Sequence, residues 1–162
     1  MALMVRMVNK AKWDVSYDPV NADAITLCLK TRNNTLSFWV VESEAQVDEG
    51  VLAIAAANQN LDAIDIVVVD SDDFTSRDIK IIESDGHTAC TDLVSNHRDL
   101  AELNVRHLES VSEVIGRKIR DNKVVRYNMS KLRKLIEDAI EAKRIDCNKL
   151  HEGIKKKLTI QV

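Results

Sequence analysis

The stretch IDIVVVDSDDF, residues 64–74, joins an apolar run to a cluster of acids and decides the fold. Residues 63–70 are too short and too β-branched for a helix, and they are apolar on both faces. That pattern is typical of a buried central strand with other elements packed on either side. Asp70, Asp72 and Asp73 then follow directly at its tip. We read Asp72 and Asp73 as loop and helix-start residues, because acids favour a helix N-terminus.

Upstream of this strand, the sequence predicts three strands and one helix. AKWDVSY (11–17) reads as a short strand, and ADAITLCLK (22–30) and TLSFWVVES (35–43) alternate at period two across a turn at 32–34. Ser43 and Gln46 then have capping-box spacing before an apolar helical face, which predicts a helix from about 44 to 60. The order to this point is β-β-β-α-β.

Downstream, DIKIIES (78–84) predicts one more strand, and the remainder reads as helical. An apolar stripe of roughly helical period begins after Asn96, and Asn122 interrupts it. SKLRKLIEDAIEAKRI (130–145) predicts a second amphipathic helix, and residues 147–158 a short terminal one. We therefore predict an α/β domain over 1–104, with a mixed sheet in the order β-β-β-α-β-β-α, and a basic helical extension over 105–162.

Composition excludes several classes of protein. The chain has 162 residues and 45% apolar content, without a run of eighteen apolar residues or a signal-peptide pattern, so we expect a soluble cytoplasmic protein with no membrane partner. Three cysteines without CxxC spacing support neither a disulfide framework nor a zinc site. His97, His107 and His151 have no metal-ligand spacing and read as surface or interface residues.

Charge is divided unevenly along the chain. Residues 1–104 hold 8 basic and 18 acidic side chains, whereas residues 105–162 hold 15 basic and 8 acidic ones. Such asymmetry is typical of a segment that faces a polyanion. Docking onto the acidic part or onto a second copy, as a homodimer through the C-terminal helices, is the other interpretation. The candidate nucleic-acid-binding residues, with Tyr127 for stacking, are Arg117, Lys118, Arg120, Lys123, Arg126, Tyr127, Lys131, Arg133 and Lys134.

Three carboxylates occupy positions that a sheet can bring together. Asp14 lies in the predicted first strand, Glu49 early in the predicted helix, and Asp70 at the tip of the next strand. Buried like charges repel and raise one another's pKa unless a cation lies among them. Magnesium prefers carboxylate and water oxygens and suits such a cluster.

With these motifs in this order, residues 10–104 resemble the ribonuclease H family. The resemblance is carried by Asp14-Val15-Ser16, by Glu49 with AIAAA after it, by Asp70-Ser71, and by Gly86-His87 followed by Asn96 and Asp99. Val15 stands where the family commonly has glycine, and residues 74–78 leave little room for the helix between its fourth and fifth strands.

The resemblance implies two-metal hydrolysis of phosphodiester bonds in RNA·DNA hybrid or structured nucleic acid, with Mg²⁺ or Mn²⁺. Asp14 would bridge the ions, Glu49 and Asp70 would complete one shell, and Asp99 the other. His87 would assist proton transfer or product release. Two choices stay open: Asp92 competes with Asp99, and Asp48 or Glu44 competes with Glu49.

Two other functions remain open. The first is a catalytically inactive member of the same fold that works as a nucleic-acid or protein binding module. The second is a resolvase or transposase acting on branched or duplex DNA. A nuclease needs Asp14, Glu49 and Asp70 within reach of shared metal ions, whereas in a binding module these residues are free to separate or to pair with Lys and Arg.

Overall fold

A computed structural model describes residues 2–14, 16 and 20–158 of the chain. It contains six strands and five α-helices in these described residues. The elements in chain order are β1 Leu3–Val8, β2 Leu36–Val41, α1 Val47–Ala57, β3 Ile64–Asp70, α2 Asp72–Thr75, β4 Lys80–Glu83, β5 His97–Ala101, α3 Val105–Arg120, β6 Val124–Tyr127, α4 Met129–Glu141 and α5 Glu152–Lys155. None of the described helices is long and apolar enough to cross a membrane.

The six strands form one sheet in the order β4-β5-β2-β1-β3-β6, and each of these neighbouring pairs is antiparallel. The α/β class predicted from the sequence is confirmed. The predicted mixture of parallel and antiparallel neighbours is not observed among these strands. Because β2 and β3 both run antiparallel to β1, they are parallel to each other, and α1 connects them across the strand that separates them.

Helices cover both faces of the sheet, which explains why β3 is apolar on both sides. On one face Ile66 packs in a core with residues of α1 and α4. On the other face Val67 and Val69 pack in a second core with residues of α3. Phe38 and Phe74 meet edge to face in that second core, with ring centroids 5.3 Å apart. The predictions of a buried β3, of a helix near 44–60 and of a strand near 78–84 are confirmed.

The first thirty residues differ from the prediction. The first strand is Leu3–Val8, whereas a 3-10 turn at Lys10–Lys12 overlaps the start of the predicted strand, and Val15 and Tyr17 lie outside the described residues. The predicted second strand contains a π-helical turn at Ala24–Cys28. Both sides of β2 are already paired, with β1 and β5, so no edge of β2 is free for it. The predicted turn does form, with Asn33 and Asn34 at positive φ.

Two strands were not predicted. Strand β5 lies where the sequence predicted a helix, and β6 lies in a segment for which no strand was predicted. The stripe that begins near Asn96 belongs to strand β5 first, and the helix starts only after Asn104, whose side chain caps α3 by accepting from the His107 amide. Leu100 and Leu103 have helical spacing, but Leu100 lies in β5 and Leu103 lies between β5 and α3. The predicted break is confirmed: α3 ends at Arg120, and Asn122 has positive φ.

The basic C-terminal part is integrated with the rest of the chain. Strand β6 pairs with β3, α4 packs against α1, and α3 packs against β3 from the other side. Residues beyond 104 therefore complete the same sheet and both cores.

Candidate functional site

The four predicted metal-binding carboxylates do not meet at one place. Asp70 pairs across the sheet with Leu3, which in turn lies opposite Val41, whereas Asp99 pairs with Ser37, four residues further along β2. Three strand spacings and four residues of rise put Asp70 and Asp99 roughly 20 Å apart. A two-ion centre needs ligands around ions roughly 4 Å apart, so these two carboxylates cannot share one.

Asp14 lies in a loop beyond the first 3-10 turn. Its carboxylate is exposed and accepts hydrogen bonds from the hydroxyl of Ser16, at 2.5 Å, and from the Ser16 amide, at 2.9 Å. These bonds lower the pKa of Asp14. The preceding Trp13 packs into the core beneath α3, so Asp14 is attached to the face opposite that of α1.

Glu49 is neutralised by an arginine of the chain itself. The Arg144 guanidinium donates to both carboxylate oxygens of Glu49 and, through Nε, to Asp92 Oδ2 at 2.7 Å. The hydrogen bond with Glu49, followed by that with Asp92, raises the pKa of Arg144. The three side chains line a cleft of about 540 Å³, here called the arginine cleft, together with Glu42 and Arg98. A guanidinium thus occupies the position between these carboxylates where a metal would have to bind.

Cys90 and Asp92 extend this ion-pair network into the core. The Cys90 thiol lies 3.1 Å from Asp92 Oδ1, and burial with the nearby carboxylate raises the pKa of Cys90 to about 12. Burial alone would raise the pKa of Asp92, but hydrogen bonds from Cys90 and Arg144 outweigh it and lower that pKa. Throughout the described residues, no group of three His, Cys, Asp or Glu side chains could hold a metal ion.

Asp70 instead lies in a second cleft, of about 850 Å³, with part of the basic segment. This lysine cleft is defined by Lys118, Lys123, Glu42, Glu44, Asp70 and Tyr127, with an apolar lining of Leu3, Val47, Val68 and Val125. Lys118 lies in the last turn of α3 and Lys123 directly precedes β6, and the backbone amide of Lys123 donates to the Lys118 carbonyl at 2.8 Å. The turn at Asn122 therefore places both lysines beside the end of β3, where they line the same cleft as Asp70.

Half of the predicted basic residues are held by acids of the chain. The ion pairs are Arg117 with Asp73 at 2.9 Å, Arg126 with Asp65 at 3.1 Å, Lys131 with Asp48 at 3.4 Å and Lys134 with Asp138 at 2.9 Å. Lys118, Arg120, Lys123 and Arg133 have no ion pair with any of the described residues. Fewer side chains of the basic segment are therefore without an internal ion pair than the sequence indicates.

Tyr127 is buried in the core. Its side chain is only 3% exposed, its hydroxyl donates to Asp48 Oδ1 at 2.6 Å, and the Lys131 ammonium lies 4.0 Å from its ring centroid. Burial, with the carboxylate of Asp48, raises the pKa of Tyr127. A base could stack on this ring only after the side chain left its core position.

Asp99 belongs to a polar cluster that sequence reasoning missed. Its carboxylate accepts from the hydroxyls of Ser37, at 3.0 Å, and Ser84, at 2.8 Å, and Ser84 Oγ lies 2.7 Å from His97 Nδ1. His97 is buried and meets Trp39 edge to face, whereas we predicted a surface or interface residue. The signal was present in HRDLA, where His97 and Asp99 alternate onto one face of a strand.

His87 lies near this cluster. It lines a cavity of about 300 Å³ together with His97, Trp39, Ser37 and Met7. Two of the predicted catalytic residues, Asp99 and His87, are thus found in one neighbourhood, on the part of the sheet that α1 leaves uncovered.

Searches for related proteins gave no match for this chain among family models, curated proteins or solved structures. The resemblance to the ribonuclease H family therefore rests on the sequence motifs, and a function has to be argued from the geometry described above.

Proposed function

We propose that this protein is a nucleic-acid-binding module, and that the phosphate backbone binds in the lysine cleft. The observation that carries the proposal is that the cleft is lined by Lys118 and Lys123, neither of which has an ion pair with a described residue. Surface lysines without a partner attract phosphates through a sequence-independent electrostatic interaction. RNA·DNA hybrid or structured nucleic acid is the proposed class of ligand.

Glu42, Glu44 and Asp70 do not form a three-ligand metal group, but a magnesium or manganese ion held mainly by a phosphate would need only one or two of them. The three carboxylates line the lysine cleft, and Mg²⁺ is commonly held by one or two carboxylates together with substrate phosphates. An ion there would neutralise charge between these acids and the nucleic acid. The set Asp14, Glu49, Asp70 and Asp99 does not fit a two-ion centre in this arrangement.

Metal-dependent cleavage of ribonuclease H type is the second candidate. It is favoured by the position of Asp70, which ends β3 and borders the cleft where the nucleic acid is proposed to bind. For such a reaction Glu42 and Glu44 would have to move towards Asp70, because the three carboxylates do not form a metal-binding group in the structure. The ribonuclease H-like relationship itself stays a prediction.

The test is binding of labelled RNA·DNA hybrid, duplex DNA and single strands across a salt series. The Lys118→Ala/Lys123→Ala variant should bind about tenfold more weakly, and its slope of log affinity against log salt should fall by about two. A matched control is Lys10→Ala/Lys30→Ala, which removes two exposed lysines that do not line the cleft. Equal losses in both variants would contradict the proposal, because they would indicate a dependence on net charge alone.

The same samples with Mg²⁺ or Mn²⁺ decide between the two candidates. Binding without cleavage supports the module, whereas metal-dependent cleavage that Asp70→Asn abolishes supports the nuclease. A homodimer through the C-terminal helices is a separate proposal. Sedimentation of the free protein tests it, with a monomer mass as the contradicting result.

A further inference from the structure

The polar cluster around His97 borders a cavity that the proposed function does not use. Helix α1 ends at Ala57, and the sheet beyond it presents Ser37, Trp39 and His97 to a space of about 300 Å³. That volume is at the lower end of the range for small-molecule pockets. The lysine cleft has none of these three residues in its lining.

The hydrogen bonds fix which nitrogen of His97 carries the proton. An ionised carboxylate can only accept, so the Ser84 hydroxyl donates to Asp99 Oδ2, and the remaining short contact of Ser84 Oγ is with His97 Nδ1. Since the hydroxyl proton is already used, Ser84 Oγ accepts from Nδ1–H. The neutral ring then carries its lone pair on Nε2.

No described residue gives Nε2 a hydrogen-bond partner, while His97 itself lines the cavity. Burial lowers the pKa of His97, and the Asp99 carboxylate offsets only part of this, so the ring is an acceptor at neutral pH. Nε2 is not among the buried polar atoms of the described residues that lack a partner, so it is open to solvent, and a ligand with a donor group would replace water there.

The other walls of the cavity combine apolar side chains with the polar side chains of Asn58 and His87. Val5, Met7, Ile54 and Ala57 line it, and the Met7 side chain is 42% exposed. Arg6 supplies no free cation here, because its guanidinium donates to two backbone carbonyls and lies over the Phe38 ring on the opposite face of the sheet. The cavity therefore favours an uncharged ligand.

We propose that this cavity binds a small neutral molecule with an apolar body and one hydroxyl group, whose O–H donates to His97 Nε2. Trp39 and Met7 contact the apolar body, and the chain Asp99–Ser84–His97 holds the ring in the accepting tautomer. Phenols and comparably small alcohols are the chemical class that meets these requirements.

The test uses phenol as the probe and anisole, its methyl ether without a donor, as the matched compound. The protein is labelled with ¹³C at the methionine methyl groups, and Met7→Leu assigns the reporter in the cavity. Phenol should shift the Met7 signal in a saturable manner. Met4, fully buried on the opposite face, and Met129, exposed elsewhere, should not move.

A variant separates the hydrogen bond from simple apolar binding. His97→Asn keeps an amide N–H in the place of Nδ1–H and removes the acceptor at Nε2. We expect phenol to bind wild type about tenfold more tightly than this variant, and about tenfold more tightly than wild type binds anisole. Three results would each overturn the proposal: equal affinity of wild type for phenol and anisole, an unchanged affinity for phenol in folded His97→Asn, or equal phenol-induced shifts of the Met7 and Met129 signals.

Discussion

The arginine cleft and the lysine cleft both include Glu42, yet their charges are used in opposite ways. In the first, Arg144 binds Glu49 and Asp92 and ties the end of α4 to α1 and to the turn before β5. In the second, Asp70, Lys118 and Lys123 have no ion pair with described residues. Charges that pair within the chain stabilise its fold, whereas unpaired charges in a cleft remain available to a ligand. The predictions for Arg144 and Tyr127 below test this distinction, and those for Gly86 and His97 extend the comparison to a third polar region.

The largest effect concerns the third polar region, around His97, which depends on close backbone approach at Gly86. A Cβ on Gly86 would lie 2.2 Å from Trp39 Cη2 and 2.8 Å from His97 Cβ. Gly86→Ala should lower the free energy of unfolding by about 2–3 kcal/mol through overpacking. The control is Gly116→Ala in α3, where the nearest atom is 3.1 Å away and helix propensity improves. Equal urea midpoints for the two variants would contradict this reading of Gly86.

Removing the guanidinium should expose the structural role of the arginine cleft. Arg144→Met leaves Glu49 and Asp92 facing each other without a cation, and because both are partly exposed we expect a loss of about 1–2 kcal/mol. Nucleic-acid affinity should stay unchanged, which separates this cleft from the other. Denaturant unfolding and binding of RNA·DNA hybrid, measured on one preparation, check both statements.

Tyr127 lines the lysine cleft, but its side chain is buried in the core. Tyr127→Phe removes only the hydroxyl bonded to Asp48 and should cost about 1 kcal/mol of stability. It should leave nucleic-acid binding intact, because the ring is buried. A weakened complex with unchanged stability would indicate that the hydroxyl contacts the ligand instead.

The smallest effect is a pH dependence of stability that originates at His97. Burial lowers the pKa of His97 in the folded chain. As the pH falls past about 6.5, the unfolded chain therefore binds a proton at this residue before the folded chain does. The stabilising contribution is present above the unfolded pKa and is lost as pH falls through the folded pKa. Asp99, Arg98 and His87 are the ionisable neighbours. Urea unfolding at pH 7.5 and 5.5 should give a larger loss for wild type than for His97→Asn.

Local patterns carried enough information for the best-defined elements. The β-branched run of β3 and the apolar face of α1 predicted both elements, because each buries a continuous surface. The positions of β5 and β6 were missed, since segments of only five and four residues become strands through their pairing with β2 and β3. The same long-range pairing decides which side chains meet: the spacing of His97 and Asp99 predicts a shared face of β5, but Ser84 joins them only because β4 and β5 are neighbours.

The central proposal is that the ligand binds in the lysine cleft, whose lysines have no ion pair with described residues. Its most direct test is binding of RNA·DNA hybrid, with and without Mg²⁺, to wild type, Asp70→Asn and Glu49→Gln, each verified as folded. We predict that Mg²⁺ strengthens binding to wild type and Glu49→Gln, and that Asp70→Asn loses this increment. The opposite pattern, in which Glu49→Gln loses the Mg²⁺-dependent increase in affinity and Asp70→Asn keeps it, would contradict this proposal.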